Sequence, residues 1–152
     1  MSIPSKILAR ALLPALLVVS AASCASHPAQ DDSAKLALYR SHAGAPVQSF
    51  HFFGRLDSWT PLGDSAVAVW TRPREAWLLE LDGTCNDLDF TPFIGLTSSA
   101  GTVSARFDKV LVRHTGGINL PCIIQSIRPL DVAALKAAER GERAASDQAS
   151  GT

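Results

Sequence analysis

The sequence predicts a mainly β fold, a small antiparallel β-barrel or sandwich with one C-terminal α-helix. Three observations lead there. Short runs with apolar residues at alternate positions recur between residues 47 and 127, the pattern of strands that bury one face. Gly, Pro and Asp punctuate them at regular spacing. A single helical stripe follows the last run.

The first strand is "VQSFHFF" (47–53), aromatic-rich and alternating. After the turn "TPLGD" comes "DSAVAVWT" (64–71), with Val67 and Val69 facing one way and Trp70 the other. "EAWLLEL" (75–81) sets Trp77, Leu79 and Leu81 against Ala76, Leu78 and Glu80, and Asp82-Gly83 ends it with a dipeptide typical of tight turns. "TPFIGLT" (91–97) is a short apolar run, which "SSAG" separates from "TVSARFDKVLVRH" (102–114). That stretch reads as one long strand whose apolar face changes from Val103, Ala105 and Phe107 to Val110 and Val112, so a bulge is expected near Asp108-Lys109. "HTGGINLP" is a Gly-rich connection, and "CIIQSI" (122–127) the last strand. In "DVAALKAAER" Asp131 suits an N-cap, and Val132, Leu135 and Ala138 form a narrow apolar stripe.

The ends read differently. Lys6 and Arg10 precede a short apolar run, Ala11 to Val19, and then small residues, Ser20 to Ser23: the layout of a bacterial secretory signal over residues 1–23. The run is about half of the roughly 20 residues that a spanning helix needs. "AASC" (21–24) resembles the bacterial lipobox, with Ala21 where that signal prefers Leu. The resemblance implies that Cys24 is acylated and becomes the new N-terminus. Ala25, in place of an inner-membrane retention Asp, implies the outer membrane, facing the periplasm. Residues 24–40 are expected to form a lipid-anchored flexible tether, 41–140 the β domain, and 141–152 a disordered tail.

Removing residues 1–23 leaves 129 residues, one domain's worth, with 12 basic and 14 acidic side chains and a net charge of −2. No basic stripe marks a nucleic-acid partner. With Cys24 assigned to the lipid, Cys85 and Cys122 remain as an even pair, and in an oxidising compartment the plain reading is a structural disulfide. On the chain-entropy account, closing that loop stabilises the fold by roughly 4 kcal/mol.

The segments "AWLLELDGTCNDLDF", "ARFDKVLV" and "CIIQSIRPLD" together resemble an uncharacterised family of short Gram-negative envelope lipoproteins, known only as a domain of unknown function. The likeness spans residues 47–136. It implies a periplasm-facing, disulfide-bonded domain and carries over no catalytic residues.

The chemistry-bearing residues are sparse. His27, His42, His51 and His114 stand in no HxH, HExxH or Cys-His arrangement, so neither a metal site nor a cofactor is assigned. Asp82, Asp87 and Asp89 miss the calcium-loop spacing and read as solvated turn residues. Ser98-Ser99 lacks a nucleophile-elbow motif. Asp108, between Phe107 and Lys109, is expected to be structural, holding backbone donors or an Arg. Most of the aromatic set, Phe50, Phe52, Phe53, Trp59, Trp70 and Trp77, is expected to fill the core, while Trp59 and Trp70 exposed together would mark a partner surface. These features favour a non-catalytic accessory or binding module, tethered to the bilayer and recognising a periplasmic or outer-membrane component. A small periplasmic hydrolase, or a carrier of an apolar molecule, is the alternative.

Overall fold

A computed structural model describes residues 28–113 and 119–150. The segment expected to be a signal, Cys24, His27, His114 and the two glycines of "HTGGINLP" lie outside the described residues. The elements run α1 (Pro28–Ser41), β1 (Ser49–His51), β2 (Ser58–Pro61), β3 (Ala66–Arg72), β4 (Glu75–Leu81), β5 (Ile94–Leu96), β6 (Thr102–Ser104), β7 (Lys109–Arg113), β8 (Asn119–Leu130) and α2 (Val132–Ser150).

The strands form a curled, antiparallel six-stranded half-barrel in the order β2-β3-β4-β8-β7-β5, and β1 and β6 make a second, two-stranded sheet. The predicted mainly β class is the one observed. The twelve-residue strand β8 holds the half-barrel together. Its first part pairs with β7, from Asn119 opposite Arg113 to Ile123 opposite Lys109. Its second part pairs with β4, from Ile124 opposite Leu81 to Leu130 opposite Ala76. One long strand serving two neighbours in succession bends the sheet around its own inner face.

Alternation then builds two cores on opposite sides of β3 and β4. Val67, Val69, Leu79 and Leu81 point inward with Phe50, Phe52, Val103, Val110, Val112, Ile124 and Ile127. Ala66, Ala68, Trp70, Ala76 and Leu78 point outward, beneath Leu36 and Tyr39 of α1 and Val132 and Leu135 of α2. Three of these outward residues are Ala, so the helices approach the sheet closely. Strands buried on both faces explain why "AVAVW" and "AWLL" read as nearly continuous apolar runs.

Several expectations are corrected. The tether expected over 24–40 is instead helix from Pro28 onward, because Leu36 and Tyr39, three residues apart, reach the same patch of sheet and are buried there. Lys35 donates to the Pro61 carbonyl at 3.0 Å, and Tyr39 Oη donates to Glu139 of α2 at 2.8 Å. The tail expected to be disordered continues α2 to Ser150. Its side chains are exposed from Arg140 to Gln148. The helix persists there because Ala, Glu, Arg and Gln are strong helix formers, aided by Glu139 and Arg143 one turn apart at 3.8 Å.

The long strand over 102–114 is two strands in different sheets, split by a turn at residues 105–108 where Arg106 has φ 69°. Strand β2 was not foreseen: four residues ending in Pro, on the sheet edge where a missing amide costs no ladder bond. The predicted N-cap is present, with Asp131 Oδ1 accepting from the Ala134 amide at 3.0 Å.

Candidate functional site

An open groove of about 510 Å3 lies where α1 begins. Three pieces of chain meet there. Strand β2 turns back into β3 through Leu62–Ser65, closed by the Leu62 amide on the Ala66 carbonyl at 3.0 Å, with Gly63 at φ +78°. The loop after β4 is pinned to that turn by the Cys85 amide on the Asp64 carbonyl at 2.7 Å, and to β8 by the Cys85–Cys122 disulfide. Beyond Cys85 the chain winds through a turn whose amides at Phe90 and Thr91 both donate to the Asp87 carbonyl. Helix α1 supplies the third wall with Asp32 and Ser33.

Leu36, Leu62 and Leu88, all buried, make the floor. Asp32, Asp64, Asp87 and Asp89 surround it, and Phe90, 86% exposed, stands at its edge. Partial burial raises the pKa of Asp89 above the ordinary carboxylate value, and the neighbouring charges of Asp32 and Asp64 push the same way. Lys35 and a hydrogen bond from the Gly63 backbone oppose the shift without cancelling it. An apolar floor under a ring of carboxylates suits a ligand that carries a positive charge next to an apolar group.

Trp59 and Trp70 do not form one exposed surface. Trp59 is half-buried against the inner core, and Trp70, 9% exposed, lies on the outer side, edge-on to Tyr39 with ring centroids 6.4 Å apart. The pairing explains it, since Trp59 sits opposite Val69 and so shares the inner face, while Trp70 has the opposite parity. The exposed aromatics are Phe53, Phe90, Phe93 and Phe107, and Phe53 is covered on one side by the Arg72 guanidinium, 5.6 Å from its ring centroid. Nothing in a residue-by-residue pattern distinguished these from Phe50 and Phe52, which are core.

Of the three turn aspartates, Asp87 and Asp89 line the groove and Asp82 does not. His42 is half-buried at the end of α1, and His51 is exposed on β1. Among the described residues, no group of three or more His, Cys, Asp or Glu side chains could hold a metal ion. Asp108 is buried and structural, as expected. Its Oδ1 accepts from the Thr97 hydroxyl at 2.7 Å and its Oδ2 from the Ser104 amide at 2.8 Å, while Thr97 Oγ1 accepts from the Lys109 amide at 2.9 Å.

Residues 7–146 match the model of a family of unknown function. No curated protein and no solved structure matches the chain.

Proposed function

The chain belongs to a family of unknown function (DUF6491), and on that premise we propose that it is a lipid-anchored protein of the bacterial envelope whose domain is a non-catalytic binding module. One observation carries the anchor. Cys85 and Cys122 are joined to each other, with Cα atoms 5.8 Å apart, so the third cysteine, Cys24, is left over four positions before α1 begins. A cysteine after small residues, outside the disulfide, is what an acylated anchor requires. The distance from Cys24 to Pro28 spans at most about 14 Å of extended chain, so an anchored domain is held close against the bilayer rather than on a long leash. Its partner is then a component of the membrane or of its immediate surface, met at raised effective concentration. The groove at the start of α1 is the recognition site that this placement favours. Among the described residues, no helix is long and apolar enough to cross a membrane.

The test is Cys24→Ser in the native host. The wild-type chain is expected in the membrane fraction, with acyl mass on Cys24, and the variant in the soluble envelope fraction. Equal membrane retention of the variant, or a wild-type Cys24 without added mass, overturns the anchor.

Asp89, lining the groove beside Asp32 with its pKa raised by partial burial, favours a second reading, a small hydrolase with Asp89 as its proton donor. Binding of a partner that is unchanged by Asp89→Asn, with no substrate turned over, separates the module from the enzyme. The inner core is filled by side chains from both sheets, which does not favour the carrier.

A further inference from the structure

The two halves of the half-barrel are covered unequally. Both helices pack on the outer face of β2, β3 and β4. On the other half, β5, β7 and β8, inward residues are Ile94, Leu96, Val110, Val112 and Cys122. Alternation therefore sends Gly95, Lys109, Leu111, Arg113, Pro121 and Ile123 outward. Their half-buried or exposed state agrees, and a Cβ added to Gly95 would lie 3.7 Å from the Leu111 Cβ. Phe93, 65% exposed, continues this face at the start of β5.

We propose that this face is a second contact with the membrane, docking on a bilayer surface that carries anionic phospholipid. Phe93, Leu111 and Ile123 offer apolar side chains for the headgroup boundary, and Lys109 and Arg113 offer positive charge among them, the combination that binds anionic interfaces. Asp82, whose amide donates to the Ile123 carbonyl, adds a single negative charge beside the face. The acidic groove lies elsewhere, so the net sign here is opposite to that of the chain's mature charge. The loop carrying Phe93 also supplies Asn86–Phe90 to the groove where α1 begins. The start of α1 and the apolar face thus adjoin the same loop. The docking does not depend on acylation of Cys24.

The test uses the full chain, purified from its own envelope and reconstituted with vesicles of phosphatidylcholine alone or with about a third phosphatidylglycerol. An amine-acylating reagent is applied and the lysines are read by mass spectrometry. On the anionic vesicles Lys109 is expected to be labelled at least about three-fold less than on the neutral ones, with Lys136, exposed on α2, unchanged, and high salt restoring the labelling. Phe93→Ser with Arg113→Gln should return Lys109 to its neutral-vesicle level while thermal unfolding stays as in wild type. Equal Lys109 labelling on both vesicles overturns the proposal. So does protection that appears without vesicles and rises with protein concentration, which would mean that a second copy covers the face. The acyl mass on Cys24, read in the same spectra, reports the anchor separately.

Discussion

Asp108 and Asp89 are two carboxylates with opposite circumstances. Asp108 is buried and has both oxygens engaged, one by a hydroxyl and one by an amide, so it fastens β6 and the turn before β7 to the residue after β5. Asp108→Ala leaves the Ser104 amide without its acceptor, and a loss of about 3 kcal/mol in urea unfolding is expected. Asp89 instead sits among other carboxylates, and burial with their charges raises its pKa in the folded state. The folded chain therefore holds this proton to higher pH than the unfolded chain does. Stability contributed by the group is fully present below the unfolded Asp value of about 4, and is lost as pH rises through the folded value. Asp89→Asn should flatten that fall, leaving the variant more stable than wild type at neutral pH, as unfolding midpoints across a pH series would show. The role of Asp108 was legible because an acid inside an apolar run must find donors. That of Asp89 was not, because its neighbours Asp32 and Asp64 are 57 and 25 positions away and only the fold collects them.

The elements divide by how far their signals reach. Strands β3 and β4 were evident from local alternation, and the start of α2 from its cap and stripe. Helix α1 was misread as tether because its apolar residues are few, and its burial depends on a sheet surface built tens of residues later. The long 102–114 strand was misread for a related reason: the switch of apolar parity near Asp108 is common to a bulge and to a turn, and only the sheet partners of β6 and β7 distinguish the two. Outward Ala66, Ala68 and Ala76 set how near α1 and α2 can lie. Ala68→Leu inserts a side chain where no space exists, at 0% exposure, and should cost about 1–3 kcal/mol with visible separation of the helices from the sheet. The measurement is thermal unfolding together with amide exchange of α1. An unchanged midpoint would mean that the helices are loosely seated.

For the whole molecule, the disulfide joins residues 37 positions apart in sequence and ties the groove's loop to β8. Cys85→Ala with Cys122→Ala should lower stability by roughly 4 kcal/mol on the chain-entropy account, and should open the groove first, since Cys85 anchors its floor beside Leu88. Denaturant titration measures the first effect, and amide exchange of residues 86–91 against β3 measures the second. Uniform loss of protection would show that the crosslink acts only through the unfolded chain. Among the described residues the sheet presents two unlike exteriors: one half is roofed by helices, and the other carries Phe93, Leu111 and Ile123 beside Lys109 and Arg113 with no helix over it.

Local physics alone determined the mainly β class, the disulfide pair, the cap at Asp131 and the structural duty of Asp108, because each rests on neighbours in sequence or on a count of cysteines. Only the tertiary structure decided which aromatics are exposed, that residues 28–41 pack as a helix, and that four aspartates share one groove. Those outcomes depend on which faces meet across the sheet, and a face acquires its partner only when distant segments fold against it.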